Sequence, residues 1–406
     1  MSWNRIRLGD IAIFRNGINF GKESYGKGVS LIGVSDFKNR FYPDYETLDE
    51  VKESVVGVND YLDYGDIVFV RSNGNKELVG RCMLIKTTKS KITYSGFCIR
   101  TRIKNKTEHD PIFWTYHFKN ISFRKSMSGN AVGTNIQNLS QGMLSNYEAE
   151  VPDYNTQLRI ASILSTYDNL IENNQKQIKL LEEVVQRLYK EWFIDLRFPG
   201  YENVEIIDGV PEGWYINRAD HYFKITIGKT PSRAEKQWFT DSREGTPWIS
   251  ISDMGESGAF AFYSKEGLTA DAIIRHNMKV VPKGTILVSF KLTVGRVAIT
   301  SIDMCTNEAI AHFYIDNDLD RAYTYCYLKN FEYDSLGNTS SISKAINSKI
   351  IKSMPFIMPA GDILGQFSMI VQPILDQIEL KQKIIFRLTE ARDRLLPKLM
   401  SGEIEV

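Results

Sequence analysis

The sequence predicts an α+β fold in which two globular mixed α/β domains alternate with two long helices. The chain has 406 residues, which is too long for a single hydrophobic core. Two segments, one central and one C-terminal, carry apolar residues at the heptad spacing of a coiled coil. The remainder consists of short β-branched blocks interrupted by Gly, Asn and Asp, which is typical of strands and turns.

The first globular domain is predicted over residues 1–150. Its blocks are "LIGVSDF" from Leu31, "YGDIVFVRSNGNKELVGR" from Tyr64 and "GTNIQNLSQGML" from Gly133. Each block combines β-branched residues with turn formers, so we expect strands joined by short loops.

A basic run lies inside this domain, since residues 86–107 contain seven basic and no acidic side chains. Arg100, Arg102, Lys104 and Lys106 alternate with other residues, so on a strand they would share one face. This pattern fits a solvated outer strand. If the protein binds DNA, it fits a stripe that contacts backbone phosphates.

A central long helix is predicted over residues 151–195, with an apolar seam formed by two heptad positions. The first position holds Leu164, Ile171, Ile178, Val185 and Trp192, and the second holds Tyr167, Asn174, Leu181 and Leu188. At 1.5 Å per residue the helix from Thr156 to Phe193 is roughly 55 Å long, which is on the scale of one to one and a half DNA turns.

A linker loop is predicted over residues 196–213, which are all but the last residue of the stretch "LRFPGYENVEIIDGVPEGW". Its prolines and glycines favour turns and interrupt helices and strands. The linker therefore carries the chain to a second globular domain over residues 214–357. The first residue of that domain, Trp214, is the expected counterpart of Trp3.

Three blocks of the second domain resemble those of the first, in the same order. They are "WISISDM" from Trp248, "KGTILVSFKLTVGR" from Lys283 and "TSSISKAINSKI" from Thr339. This order predicts an internal repeat in which the two domains share a fold.

A second long helix with a C-terminal tail is predicted over residues 358–406. A shift of 207 positions (359 − 152) puts Pro359 on Pro152 and superimposes the two heptad patterns without a gap. The seam of this helix then contains Val371, Ile378, Lys381, Ile385, Leu388 and Leu395. Two copies of one unit favour a pseudo-two-fold arrangement in which the long helices run antiparallel.

Composition and motif content exclude several classes of function. No apolar run approaches the roughly 20 residues of a membrane span and the N-terminus lacks the core of a signal peptide, so we expect a cytoplasmic protein. Four scattered cysteines and five histidines show no metal-ligand spacing, so we expect no metal. No GxGxxG loop, Walker A loop or Asp/Asn-Pro-Pro-aromatic motif occurs, so we expect no cofactor and no catalytic residue.

Three motifs carry a resemblance to a known family. "RFPGYENVEIIDGVPEGW" in the linker, "LLPKLMSGEI" at Leu395–Ile404 and "IGKTPSR" at Ile227–Arg233 resemble the specificity subunits of type I restriction-modification systems. The resemblance implies two target-recognition domains, each reading one part of a bipartite, asymmetric site in double-stranded DNA. It also implies that the helices set the distance between the two parts. They would dock two methyltransferase subunits and, in the full complex, restriction (nuclease-translocase) subunits.

The candidate DNA-contacting residues are polar or basic and belong to loops or to the basic run. In the first domain they are Arg71, Asn73, Asn75, Lys76, Arg100, Arg102, Lys104, Asn130 and Thr134. In the second domain they are Lys229, Thr230, Ser232, Arg233, Ser289, Lys291, Asn338, Thr339, Ser340 and Lys344. An ordinary solvated turn is the alternative interpretation of each loop.

The expected function is sequence-specific DNA recognition by a non-catalytic subunit of a methyltransferase/endonuclease complex. The alternative is a coiled-coil adapter whose globular domains bind protein. The net charge of +1 limits the phosphate contacts that the chain can make alone. Trp192, Phe193 and Leu396 near the helix ends are expected to offer an apolar surface to a partner.

Overall fold

The structure, a computed structural model, describes residues 3–37, 40–72, 79–86, 91–127, 138–207, 209–336 and 346–406. The chain divides into two compact units. Unit 1 comprises Met1–Glu172 together with Arg387–Val406, and unit 2 comprises Asn173–Phe386.

Unit 1 is built from short strands and helices, from the first long helix up to Glu172, and from the second long helix after Phe386. The elements are β1 (Trp3–Arg7), α1 (Leu8–Ile11), β2 (Ala12–Asn16), β3 (Tyr25–Ile32), β4 (Asp49–Val51), β5 (Ile67–Val70), β6 (Cys82–Leu84), β7 (Ile92–Tyr94), β8 (Cys98–Ile103), α2 (Pro111–Lys119), α3 (Ile121–Met127), α4 (Gln141–Ser145), β9 (Glu148–Pro152) and the long α5 (Tyr154–Tyr189). They form a β1-β9 pair and two sheets of order β2-β8-β5-β6 and β4-β3-β7.

The four-stranded sheet of unit 1 lies between two apolar layers. Successive side chains of a strand face opposite sides, and all four residues of β5 are buried. Ile67 and Phe69 belong to the core that includes the helices, while Val68 and Val70 pack in a second core with Tyr94 of the three-stranded sheet.

Unit 2 repeats this plan with more strands. Its elements are β10 (Ile206–Ile207), β11 (Val210–Pro211), β12 (Tyr215–Arg218), α6 (Ala219–Tyr222), β13 (Ile225–Ile227), β14 (Phe239–Asp241), β15 (Thr246–Ile249), α7 (Ile251–Ser257), β16 (Phe260–Ala261), β17 (Glu266–Leu268), α8 (Ala270–Arg275), β18 (Ile286–Ser289), β19 (Val297–Thr300), β20 (Cys305–Thr306), β21 (Ile310–Phe313), α9 (Asp318–Asn330), α10 (Ser348–Lys352), β22 (Pro355–Met358) and the long α11 (Gly361–Met400). The sheets are β10-β11, β12-β22, β13-β21-β18-β19-β16 and β14-β17-β15-β20.

The central strand of unit 2 also separates two cores. Ile286 and Val288 of β18 belong to the core that includes the long helices, whereas Leu287 packs with Ile249 and Met304 on the other face. The predicted fold class, mixed α/β globular units combined with long helices, is confirmed by these two units.

Backbone hydrogen bonds establish which positions of the two units are equivalent. The amides of Gly17 and Gly228 donate to the carbonyls of Cys98 and Ile310, each at 3.1 Å. Pro152 lies opposite Trp3 in the β1-β9 pair, and Met358 lies opposite Tyr215 in the β12-β22 pair. In the second pair, Trp214, the residue before Tyr215, therefore lies level with Pro359, the residue after Met358. Because Pro359 is the counterpart of Pro152, Trp214 is the counterpart of Trp3, as the sequence predicts.

The first long helix starts later than the sequence predicts. Val151 and Pro152 complete β9 instead, because Asp153 caps the helix by accepting from the amide and the hydroxyl of Thr156, at 3.1 and 2.9 Å. The helix continues to Tyr189, and a π-helical turn follows at Lys190–Ile194.

Contacts within unit 1 show how its portions of the long helices pair. Leu164 of α5 shares a core with Leu395 and Leu399 of α11. The guanidinium of Arg392 pairs with the carboxylate of Asp168.

Within unit 2, Val185 of α5 shares a core with Ile378 of α11, and the ammonium of Lys381 donates to the side chain of Gln177. In each unit, later positions of α5 meet earlier positions of α11, so the two helices run antiparallel there. Every predicted seam residue is buried or half-buried.

Among the described residues, no helix combines the length and the apolar character that a membrane span requires. Within the same ranges, no group of three or more His, Cys, Asp or Glu side chains is arranged to hold a metal ion.

Candidate nucleic-acid interface

Three loops of unit 2 meet at one edge of its five-stranded sheet. The amide of Lys229 donates to the carbonyl of Thr306 at 3.0 Å, and the amide of Phe290 donates to the carbonyl of Ala309 at 2.9 Å. A Cβ at position 228 would overlap the carbonyl oxygen of Asn307, so the close approach of these loops requires the glycine found there. The "GKTPSR" motif is thereby fixed beside the loop that precedes β21.

Glu308 connects three of the predicted DNA-contacting residues. Its carboxylate accepts a hydrogen bond from the hydroxyl of Thr230. Burial acts to raise the pKa of Glu308, but the hydrogen bond from Thr230 and the positive charges of Lys291 and Arg233 outweigh it and lower this pKa. The carboxylate therefore stays charged among basic and hydroxyl side chains.

Sequence reasoning missed Glu308. The available indication was its place in the "TNEAI" stretch, immediately before a strand that pairs with the strand leading into "GKTPSR". That pairing is a long-range contact, and periodicity along the chain does not show it.

Arg233 is held by aromatic rings and a carboxylate. Its guanidinium carbon lies 4.3 Å from the ring centroid of Phe239 and 4.6 Å from that of Trp248. An oxygen of Glu266 lies 2.8 Å from the same guanidinium. This arrangement presents a planar, rigid cation, which suits a phosphate or a guanine edge.

The two other motif candidates differ in their surroundings. The side chain of Lys229 donates to the carbonyls of His276 and Asn277, at 3.4 and 3.2 Å, which ties the loop to the end of α8. Ser232 is exposed to solvent.

The expectation of a DNA contact by Ser289 needs correction. Ser289 is fully buried, and its hydroxyl donates to the carbonyl of Thr293 at 2.6 Å and accepts from the amide of Arg296 at 3.0 Å. It therefore shapes the β18-β19 loop, while Lys291 on that loop is exposed. Asn338, Thr339, Ser340 and Lys344 lie outside the described residues.

Unit 1 has an equivalent loop edge. The half-buried Arg71 donates its amide to the carbonyl of Phe97 at 2.8 Å, which matches the bond between Phe290 and Ala309 in unit 2. Phe97 is 62% exposed and was also missed from the sequence. Asn73, Asn75, Lys76, Asn130 and Thr134 lie outside the described residues.

The basic run of unit 1 is not the outward stripe that its alternation suggests. Arg100 is buried and donates to the carbonyls of Asn59 and Tyr61, at 3.1 and 3.3 Å. Arg102 makes a bidentate pair with the buried Asp66, at 2.7 and 2.6 Å, and this hydrogen bonding raises the pKa of Arg102.

Lys104, although exposed, donates to the carbonyls of Gly9 and Asp10 at 3.1 and 2.9 Å. Internal partners thus occupy the charges of all three predicted residues of the run. The loops are therefore better candidates than this strand for contact with a polyanion.

The expected partner surface also lies elsewhere. Trp192, Phe193 and Leu396 are buried in the cores of their units. The exposed apolar side chains on other faces of the long helices in unit 2 include Leu180 and Val184 on α5 and Met369 and Ile370 on α11. We call these four residues the helix-face residues.

Comparison with known proteins gives a consistent result. The model of the type I restriction modification DNA specificity domain matches residues 2–183 and again residues 211–390. The chain is 27% identical over 322 residues to the type I restriction enzyme MjaIX specificity subunit of Methanocaldococcus jannaschii, covering 73% of this chain and 69% of that protein.

Two further proteins match almost end to end. The chain is 25% identical over 482 residues to the type I restriction enzyme HindI specificity subunit of Haemophilus influenzae, covering 99% of each chain. The crystal structure of the type I restriction-modification S subunit from M. genitalium superimposes with a TM-score of 0.59 at 16% identity, covering 98% of this chain and 96% of that one. At that identity the likeness concerns the fold alone.

The two matched stretches span most of the chain, and they coincide with the two sets of equivalent strands described above. The chain therefore belongs to the type I restriction-modification DNA specificity family and contains two copies of its domain.

Proposed function

We propose that the chain recognises a bipartite, asymmetric site in double-stranded DNA, with one part of the site read by each copy of the specificity domain. The observation that carries the proposal is that equivalent loops hold different side chains. Ile18 of unit 1 corresponds to Lys229 of unit 2, since each donates its amide to an equivalent carbonyl at 3.0 Å. Phe97 corresponds in the same way to Ala309.

The loop after the central strand also differs in length between the copies. The amide of Gly80 donates to the carbonyl of Val70 in unit 1, and the amide of Gly295 donates to the carbonyl of Ser289 in unit 2, each at 2.9 Å. Nine sequence positions separate the first two residues and five separate the second two. One scaffold with two different sets of loop side chains supports the reading of two different base sequences.

Within this proposal, residues 1–150 and 214–357 are the target-recognition domains. Residues 151–195 and 358–406 form the spacer, within which α5 begins at Tyr154 and α11 begins at Gly361, and residues 196–213 form the linker. The helices would fix the gap between the two parts of the DNA site.

We further infer that the subunit works with two methyltransferase subunits, one for each copy of the repeat, and with restriction subunits in a full complex. The relatives named above are themselves called specificity subunits of type I restriction enzymes. The exposed helix-face residues offer an apolar surface for such a partner. A subunit that acts on DNA with these partners is expected in the cytoplasm. Family membership does not support the protein-binding adapter.

A domain exchange tests the reading of two half-sites. Residues Trp214–Ile357 are replaced by the matching region of a relative with another specificity, and the assembled complex methylates genomic DNA. Sequencing of methylated bases is expected to show one half of the motif changed, with the other half and the gap retained. A change in both halves, or in neither, would contradict the proposal.

A paired substitution tests the docking surface. Leu180→Asp with Val184→Asp places charge on two helix-face residues of unit 2 without disturbing a core, so one of the two methyltransferase subunits is expected to be lost on co-purification. Gln175→Asp is the control, because Gln175 is exposed on another side of the same helix. Retention of the partner by the double variant at the control level would refute this surface.

A further inference from the structure

The loop between β18 and β19 presents one large apolar side chain to solvent. Leu292 is 95% exposed, and its backbone has a φ of +61°. A non-glycine residue in the left-handed region is strained, and such strain persists where the surrounding structure enforces it. Because the side chain is exposed, its burial does not offset this strain within the fold. A contact with another molecule therefore explains the strained conformation better than a role in folding.

The loop is rigid around Leu292. The hydroxyl of Ser289 holds the carbonyl of Thr293 at 2.6 Å and the amide of Arg296 at 3.0 Å. The amide of Gly295 donates to the carbonyl of Ser289 at 2.9 Å, with Gly295 itself at a φ of +84°. The backbone that carries the leucine is therefore held in place, and binding through this side chain requires little ordering of the loop.

The neighbours of this loop have the chemistry that reads the major groove. Phe290 is bonded to Ala309, so the loop starts beside Glu308, and Lys291 acts electrostatically on that carboxylate. A carboxylate accepts from the amino group of cytosine, and a lysine donates to guanine or to phosphate. The one apolar group on base edges in this groove is the C5-methyl of thymine.

We propose that Leu292 is a specificity-determining residue that packs on the C5-methyl group of a thymine in the half-site read by unit 2. The inference rests on the proposed function and deepens it. A wedge between base pairs is the competing use of an exposed leucine. The exposed neighbours Lys291 and Thr293 are polar, so they offer no apolar surface to cover unstacked bases, and this favours the methyl contact.

The test couples one methyl group on DNA to one side chain on the protein. The complete complex with its methyltransferase is used, and each thymine of the second half-site is replaced singly by deoxyuridine, which lacks only the methyl. At one thymine, the replacement is expected to weaken binding by the wild-type complex about fourfold, the effect of one buried methyl. Leu292→Ala is expected to weaken binding to the thymine site and to abolish the sensitivity to deoxyuridine at that position.

Leu319→Ala is the matched control. Leu319 is an exposed leucine of the same unit at the start of α9. Arg321, two residues further along this helix, bonds to Gly284, which precedes β18 at the end opposite the loop. This control is expected to retain the full sensitivity to deoxyuridine.

Three results would overturn the inference while the proposed function stands. The first is a second half-site that contains no thymine. The second is that replacing each thymine by deoxyuridine changes binding equally for the wild type and for Leu292→Ala. The third is an increase in the fluorescence of 2-aminopurine beside the site that depends on Leu292, which indicates unstacking by a wedge. If the wild-type complex recognises no bipartite site at all, the proposed function fails instead, and the inference fails with it.

Discussion

His312 illustrates how a buried titratable residue is accommodated in unit 2. Its Nδ1 lies 2.8 Å from the hydroxyl of Thr226, and its Nε2 lies 2.7 Å from the hydroxyl of Thr306. Burial lowers the pKa of His312 to about 4 from an ordinary 6.5. The ring is therefore neutral in the folded protein at neutral pH, and it bridges β13, the strand before "GKTPSR", and the end of β20.

This histidine makes stability depend on pH. The unfolded state binds the proton more tightly than the folded state, so the stabilising contribution is fully present above pH 6.5 and is lost as the pH falls towards 4. At 1.36 kcal/mol per pKa unit the loss amounts to about 3 kcal/mol. Urea denaturation of His312→Gln between pH 4 and 6.5 is expected to show a correspondingly flatter pH dependence.

The control for this measurement is His221→Gln, because His221 is exposed. It should leave the slope of stability against pH unchanged. Equal slopes for His312→Gln and the wild type would contradict the prediction.

The strain at Leu292 has a consequence for stability as well as for binding. Leu292→Gly is expected to raise the free energy of unfolding of unit 2 by about 1 kcal/mol, because glycine adopts a positive φ without steric cost. Leu292→Ala keeps a Cβ at the same φ and should leave stability almost unchanged. If the glycine variant is less stable than the alanine variant in thermal unfolding, the strain is not relieved as we expect.

Residues of the two long helices that are equivalent in the internal repeat do not lie opposite one another in the structure. The heptad repeat relates Leu181 to Leu388, 207 positions later. In space, Asp168 pairs with Arg392 and Gln177 pairs with Lys381. A step of nine residues towards the C-terminus of α5 therefore corresponds to a step of eleven residues towards the N-terminus of α11. The heptad from Ile171 to Ile178 therefore lies opposite the one from Lys381 to Leu388.

A matched insertion tests the spacer role of these helices. Seven residues are added between Ile171 and Ile178 and seven between Lys381 and Leu388, so the seam stays in phase and each helix grows by roughly 10 Å. The gap in the methylated motif is expected to grow by about three base pairs. Both insertions fall where the chain passes between the units, so the two cores are left intact.

An insertion in α5 alone is the control, and it should lower stability because the seam loses its pairing. A folded, active complex with the matched insertions and an unchanged gap would show that the helices do not set the spacing.

Elements and their repetition were accessible from sequence, but the details of the interface were not. The heptads and the glycine-marked blocks are local patterns, so α5, α11 and the equivalence of Trp3 with Trp214 could be predicted. The burial of Ser289, by contrast, depends on how a loop closes. The internal partners of Arg100 and Arg102 come from residues 36 to 41 positions away. Alternation along one strand does not reveal such contacts.

At the scale of the whole molecule, unit 1 is assembled from both ends of the sequence. Leu399 and Met400 of α11 are buried in the same core as Phe113 and Trp114. Asp168, which pairs with Arg392, also accepts a hydrogen bond from the hydroxyl of Tyr116. The C-terminal part of α11 is thus a structural part of a domain that begins almost 400 residues earlier.

Shortening a buried side chain in this part of α11 should therefore lower the stability of the N-terminal domain, which is distant in sequence. Leu399→Ala is expected to lower the stability of unit 1 by about 3 kcal/mol through the cavity it leaves. Hydrogen exchange should show faster exchange in residues of β5 and α2 and little change in unit 2. Leu380→Ala, at an exposed leucine of the same helix, is the control. Equal acceleration in both units would contradict the assignment of these residues to unit 1.

The two-part construction of unit 1 also bears on how the protein is made. A ribosome adds about 5 to 20 residues per second, so the 214 residues of unit 2 (386 − 172) take roughly 10 to 40 s to translate. During that interval the nascent N-terminal domain exposes the apolar face that α11 later covers. Unit 2 can complete its core first, although its sequence comes second. We expect the unfinished domain to bind chaperones that hold exposed apolar chains until the last turns of α11 have emerged.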